Sequence, residues 1–315
     1  MRDPALIRML PDGRRMHLHD GPIDLIIEAN GSPQAVSAAH EAAARRFVSI
    51  LDELCGELPL LRQPARKTSE GPRGMIARRM FAAVEPYGQD CFITPMAAVA
   101  GSVAEEILES MTAAASLDRA YVNNGGDIAL HLGDRQSYKI GMVERPDRPS
   151  LFGSLEITAA DSVRGIATSG WRGRSFSLGI ADAVTVLASC AAAADAAATV
   201  IANAVNLPDH PRVTRVPAWD ISPDSDLGEL LVTRDVGLLS RLEIDTALEN
   251  GVRVATLLHE RGLIHSAALC LQKCVRVLPG LTTKSECDRR DGFPRLRAPE
   301  VHARLEFAGR TKPHA

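Results

Sequence analysis

The sequence predicts an α+β protein. Hairpin-like runs are present, strictly alternating strand–helix units are few, and the helical segments stand apart from the strands. Residues 14–29, RRMHLHDGPIDLIIEA, read as a hairpin of two alternating runs around Asp20-Gly21-Pro22. His17 and His19 then share one strand face. That spacing can hold a metal, yet no third ligand is evident nearby, and a solvated face is the simpler reading. Residues 32–54 read as a helix with Ser32 as N-cap and Pro33 at its first position. Val36, Ala39, Ala43, Phe47, Ile50 and Leu54 recur at helical spacing. Residues 59–74 read as a basic loop, closely followed by Arg78 and Arg79. These charges are either solvated or available to phosphate oxygens.

A second helix starts at Thr94 as cap and Pro95, with Met96, Val99, Ala100, Val103, Ile107 and Met111 as its apolar stripe and Glu105, Glu106 and Glu109 off it. YVNNGGDIALHL follows, then short strands at 138–143 and 154–158. GIATSGWRGR, 165–174, reads as a glycine-studded loop, and 182–188 as a strand. CAAAADAAATVIANAVN, 190–206, is an alanine-rich helix. Residues 207–226 are Pro/Asp-rich and connective, and 241–261 and 262–278 both look helical. No linker cleanly splits residues 10–280, so residues 1–280 are expected to form one domain. Residues 281–315, charged and poor in apolar side chains, are expected to be a largely disordered tail.

Composition narrows the function. The chain has 315 residues, 45% of them hydrophobic but only 4% aromatic, so its core is built from Ala, Val, Leu and Ile. A formal net charge of -3 gives no electrostatic case for nucleic acid. No apolar run approaches the roughly 20 residues that span a membrane. The start, MRDPALIRMLPDGRRM, is broken by charge and proline before a secretory h-region can form, and a cytoplasmic protein is expected. Cys55, Cys91, Cys190, Cys270, Cys274 and Cys287 form no CxxC pair. Cys270 and Cys274 would share a helix face, and buried reduced thiols are expected.

Three segments carry chemistry. Asp195 and Thr199 are four apart and lie on one helix face among Ala, Val and Ile. A carboxylate buried there is costly unless paired or bound to a cation. With a threonine hydroxyl it makes a hard oxygen set suited to magnesium, with substrate phosphates completing the shell. The alternative is that Asp195 caps or bonds locally near its helix start. Gly125-Gly126 lets the backbone turn freely or meet a ligand closely, with Asn123, Asn124 and Asp127 supplying polar groups. Taken singly, this segment reads as a glycine bulge, and ATSGWRGR, with Arg172 and Arg174, as a surface turn.

In order, VNNGGDI, IATSG and ADAAAT resemble the ApbE-like superfamily, the FAD:protein FMN transferases once assigned to thiamine synthesis. The resemblance covers residues 94–206. It implies an α+β fold of antiparallel sheets packed with helices, with the ligand site between them. It further implies Asp195 and Thr199 as Mg2+ ligands, and Asn124, Gly125, Gly126, Asp127, Thr168, Ser169 and Gly170 lining a flavin nucleotide pocket, with Arg172 close behind. Where the superfamily has a GGIAKG helix start whose carbonyls complete the metal shell, this chain has TPMAAVAGSVAEE, without lysine. Ala97 and Ala98 are the nearest counterparts. The HHIIDPxTG segment that follows the ATSG loop is also missing, as is a lipoprotein signal, and the pattern looks like a compact cytoplasmic branch.

Three functions follow as expectations. One is a magnesium-dependent transferase or hydrolase acting on FAD, in which a hydroxyl of an acceptor protein attacks the FMN phosphorus and AMP leaves. Another is a non-catalytic binding protein for a flavin, a pterin or a similar planar ligand. The last is a small-molecule enzyme with a remodelled pocket in which Arg78, Arg79 or Arg172 grips an acidic substrate. No nucleic-acid or membrane partner is expected, and the alanine-rich surface is compatible with a homodimer.

Overall fold

The computed structural model describes residues 4–65, 71–143 and 151–278. The chain opens with a short strand not foreseen from sequence, β1 (Leu6–Met9), followed by the expected hairpin of β2 (Arg15–Asp20) and β3 (Ile23–Asn30). Gly21, with φ of +56°, occupies the first central position of the β2–β3 turn, where left-handed backbone favours glycine. Helix α1 (Pro33–Leu61) begins as predicted, the Ser32 hydroxyl accepting from the Ala35 N–H at 3.2 Å. It then runs past Leu54 to Leu61, because the buried stripe continues and Pro59 falls only in the last turn.

Directly after the basic stretch stands a helix that the sequence reading did not foresee, α2 (Met75–Val84), whose Ile76, Ala77, Met80 and Val84 are buried. The Thr94 segment starts as a 3-10 turn, Pro95–Ala98, and becomes helix α3 (Val99–Ala114). Thr94 makes no cap hydrogen bond, and its hydroxyl donates to Asp226 instead.

Next come β4 (Arg119–Asn124) and β5 (Asp127–Leu132), joined by Gly125 and Gly126, then the β6 (Ser137–Val143) and β7 (Leu151–Thr158) pair. The expected loop at 165–174 is a strand in its first half, β8 (Gly165–Ser169), because its apolar start is drawn into the sheet between β5 and β9 (Ala183–Ala188). Helix α4 (Ala191–Ala204) matches the alanine-rich prediction. An unforeseen hairpin follows, β10 (Val213–Pro217) with β11 (Leu231–Val236), and then α5 (Arg241–Glu260).

The expected helix at 262–278 is instead a hairpin, β12 (Ser266–Leu271) and β13 (Cys274–Val277). Gly262, φ +71°, stands just past the end of α5, and Gln272 and Lys273 both adopt positive φ, 45° and 70°, as a tight two-residue hairpin turn requires. Cys270 and Cys274 therefore lie on paired strands, not on a helix face. Of the described cysteines, Cys270 is buried while Cys55 and Cys91 are exposed, contrary to the expectation of uniformly buried thiols; none forms a disulfide. Cys287 and the tail at 281–315 lie outside the described residues.

Nine strands form one sheet among the described residues, in the order β1-β2-β3-β4-β5-β8-β9-β12-β13, and the pairings are antiparallel. The helices cover one face. Phe47, Ile50, Met80, Ile107 and Met111 pack there against Leu25, Ile27 and Val122, and α4 packs on Ala167, Val184 and Val186. The β6–β7 hairpin covers part of the other face through Leu155 and Ile157, over Leu130, Ile166 and Leu187. Fold class is thus α+β, as predicted.

Candidate functional site

The three chemistry-bearing segments meet at one end of the sheet, on its helix-covered face. The β4–β5 turn is closed by the pair Asn124 and Asp127, with Gly125 at φ +66° and Gly126 at +118°. Alternation sends Asn124 to the same face as buried Val122 and Ala120. Its side-chain amide donates to the Ala100 carbonyl at 3.2 Å, fastening the turn to the start of α3. The Asn123 side chain accepts from the Gly126 N–H at 2.9 Å and so rigidifies the turn. Asp127 accepts from the Thr168 N–H at 3.3 Å, which ties in the end of β8.

Helix α4 completes the site because α3 and α4 approach almost backbone to backbone. A Cβ at Gly101 would lie 2.3 Å from the Ala191 carbonyl oxygen, so only glycine permits this approach. It lets the Asp195 carboxylate reach across and accept from the Gly101 N–H at 2.9 Å. Asp195 thus meets the free amides at the first turn of α3 rather than capping its own helix, and the α3 end favours its negative charge. Glu105 reciprocates, accepting from the Ala192 N–H at 2.6 Å. Thr199, one turn beyond Asp195, is half-buried, and its hydroxyl makes no hydrogen bond to another described residue.

Asp127 and Asp195 lie in each other's electric field. Burial pushes the Asp127 carboxyl up to about 7, opposed by the Thr168 amide and the Arg174 charge. Burial, reinforced by the Asp127 charge, holds Asp195 well above the ordinary carboxylate range, opposed by the Gly101 and Ala100 amides. Each carboxyl is thereby driven to hold a proton or to accept a cation beside it.

The other predicted residues divide. Gly170 is buried against the Asp182 carbonyl, which a Cβ would approach to 2.6 Å. Ser169 alternates to the helix side with Ala167, whereas the Thr168 hydroxyl bonds Thr185 at 3.0 Å, away from α4. Arg172 is held by an ion pair with buried Asp182 at 2.6 Å and stacks 4.2 Å over Trp171. Asp182 also accepts from the Gln272 N–H at 2.6 Å, so Arg172 fastens its loop to the β12–β13 turn. Ala97 sits in the 3-10 turn before α3, its N–H bonded to the Thr94 carbonyl at 3.1 Å, and Ala98 is the N-cap of α3. Arg79 contacts Glu105, Glu106 and Glu109, and Arg78 donates to the Pro72 carbonyl.

Sequence reasoning passed over Gly101, whose signal was a glycine inside a helical pattern, a mark of close approach. It also left Arg174 in the background, yet this guanidinium lies over Gly125, where a Cβ would stand 1.8 Å from its Nη2. A shallow groove of about 520 Å³ beyond the end of α3, lined by Thr112–Leu117 and His131, lies apart from these groups.

Fold and site together define an α+β protein in which two carboxylates come together between helices and an antiparallel sheet. The chain belongs to the family whose model is described as "AbpE bacteria", which matches residues 7–278, in keeping with the ApbE-like resemblance of its motifs. It is 37% identical over 184 residues to a UPF0280 protein of Methanopyrus kandleri, covering 57% of this chain and 69% of that one. To a UPF0280 protein of Methanosarcina barkeri it is 39% identical over 133 residues, 42% of this chain and 49% of the relative. The chain thus spans only about half the length of this second relative. Among solved structures, an ApbE protein from Thermotoga maritima aligns with 11% identity and a TM-score of 0.44, covering 86% of this chain and 96% of that one. The apo form of the Pseudomonas stutzeri flavinyl transferase ApbE aligns with 12% identity and a TM-score of 0.43, covering 88% and 96%.

Proposed function

We propose that this chain is a magnesium-dependent protein that binds FAD and splits its pyrophosphate, passing FMN to a protein hydroxyl or to water. The observation that carries this reading is the convergence of the start of α3, the Asn124–Asp127 turn, the end of β8 and Asp195 of α4 on one spot. The donor set fits the metal. Asp195 and Asp127 are hard oxygen donors whose mutual repulsion a divalent cation would relieve, and Thr199 offers an uncommitted hydroxyl. Asp195 and Thr199 would hold Mg2+, with a backbone carbonyl near Ala97 as a third donor. Bound there, the ion would supply charge neutralisation for the pyrophosphate.

The chain's own residues do the rest by positioning. Gly126 has open space above its backbone, so a flat ring can approach the turn there, beside the Arg174 guanidinium that lies over Gly125. Asn124 and Asp127 hold its edge, Ser169 and Gly170 border it, and exposed Arg174 offers charge to a phosphate. Thr168 contributes its backbone, and Arg172 holds the loop in place. Residues 1–280 would act as one unit in the cytoplasm, alone or as a homodimer.

A second reading, binding of a planar ligand without cleavage, draws on one observation: Arg79 and Arg172 are already engaged by carboxylates. That engagement also weighs against the acid-gripping enzyme. The test is incubation of purified protein with FAD, with and without magnesium, followed by chromatography for AMP and FMN. Magnesium-dependent release of AMP is expected, with a loss of about 100-fold or more in Asp195→Asn. FAD bound but intact would favour the binding protein, and turnover undiminished in Asp195→Asn would remove Asp195 from the metal site.

A further inference from the structure

The β2–β3 hairpin carries a second cluster that the flavin reading leaves unused. Alternation puts His17 and His19 on the sheet face opposite the one that buries Leu18. Register sets Asp24 directly across from His19 and diagonal to His17. His17 Nε2 lies 2.5 Å from Asp24 Oδ1, and His19 Nδ1 lies 3.6 Å from the same oxygen. One ligand atom from each residue falls within 4.8 Å of the other two. Asp24 thus supplies the third candidate ligand atom that sequence spacing did not reveal, since it comes from the opposite strand.

We propose that His17, His19 and Asp24 form a binding site for a divalent transition-metal ion of the zinc type. Donors around a tetrahedral zinc stand roughly 3.4 Å apart, given bonds of about 2.0–2.1 Å, so shifts on the order of 1 Å convert this cluster into a coordination shell. Two imidazoles and one carboxylate match zinc better than magnesium, which prefers oxygen alone. The scaffold is rigid. The turn at Gly21 rests on α1, where a Cβ would meet Leu51 at 3.0 Å, and β3 is paired on its far side with β4. His19 and Asp24 keep 48% and 42% side-chain exposure, which leaves room for water to complete the shell.

Neighbouring charges permit this. Arg8 is the β1 partner of His17 but is exposed, and Leu6 stands opposite His19. Glu28, farther along β3, accepts from Asn30 and Tyr121 instead. The site is distinct from the carboxylate pair. Leu25, beside Asp24, pairs with Asn124, and both are buried towards the helices, whereas Asp24 faces the other way.

Protein freed of any affinity tag and saturated with magnesium is titrated with zinc while histidine-ring nitrogen resonances are followed by NMR. The rings of His17 and His19 are expected to shift and saturate together. Zinc affinity is expected to fall tenfold or more in the His17→Ala/His19→Ala double variant and in Asp24→Asn, and to stay unchanged in Asp195→Asn. Rings that do not move with excess zinc, or an affinity that the double variant leaves within twofold, would overturn the proposal.

Discussion

The two faces of the sheet hold two polar clusters built in opposite ways. On the helix side, Asp127 and Asp195 are like charges set among alanines and glycines, Asp195 reaching from α4 to the start of α3 and Asp127 standing at the start of β5. On the open side, His17, His19 and Asp24 are complementary groups on a half-exposed hairpin, already satisfied by a hydrogen bond. Burial accounts for the difference. Taking a carboxylate out of water costs several kcal/mol unless a partner compensates, whereas an exposed ion pair contributes about 0–1 kcal/mol. The helix-side cluster therefore stores an unmet demand for positive charge and the open cluster does not.

The largest effect should come from breaking the packing that creates this demand. Gly101→Val would drive its side chain into the Ala191 carbonyl, 2.3 Å from the position of Cβ, and into the Ala192 nitrogen at 2.8 Å. Backbone cannot yield as a side chain can, so a loss of about 3 kcal/mol is expected in urea unfolding, with weakened magnesium binding. Stability equal to that of the parent protein would mean that α3 and α4 are not locked together, and the buried character of Asp195 would fall with them.

The next effect tests the charge itself. The Asp127 carboxyl rises from 3.8 to about 7 on folding. The folded chain therefore retains a proton that the unfolded chain releases between those values. Stability linked to this group is fully present below about pH 4 and is lost as pH rises through 7. Asp127→Asn keeps the acceptor for the Thr168 amide, removes the titration of this carboxyl and takes its charge away from Asp195. Without metal, the variant should be more stable than the parent at pH 8 by about 1–3 kcal/mol and nearly equal to it at pH 4. Magnesium should reverse the order at pH 8 by stabilising only the parent. A difference between the two proteins that does not vary with pH would show that Asp127 is not under this pressure.

This contrast also explains what the sequence made legible. The Ser32 cap, the alanine-rich helix and the NNGG turn were readable because their signals are local: a cap, a composition, two glycines of positive φ. The 262–278 hairpin was misread because Ser266–Leu271 is buried on both faces and shows no alternation, and the turn signal, Gln272-Lys273, is not a common turn pair. Helix α2 was hidden by its arginines, of which Arg79 serves the Glu105–Glu109 face of α3. At the site, motif order singled out Asp195 and Asp127, but their mutual field depends on how α4 lies over the sheet, and the reach of Asp195 to α3 depends on the close approach at Gly101, neither of which is visible along the chain. Asp24 escaped notice because its partners are cross-strand, and register is not visible in spacing along one strand.

The smallest expected effect sharpens the comparison most, because it repeats one chemical change on the other face. Asp24→Asn also removes a carboxylate charge, but from a side chain that is 42% exposed and, among the described residues, held by His17 and His19. Asn retains an oxygen that can accept from His17, and solvent screens the lost charge. Without metal, unfolding free energy at pH 8 should change by less than about 0.5 kcal/mol. The two aspartate-to-asparagine variants should thus differ in size, with a clear gain at position 127 and almost none at 24. A gain at position 24 as large as that at 127 would mean that the hairpin cluster is as starved of positive charge as the helix-side pair. Burial would then no longer explain why the two faces behave differently.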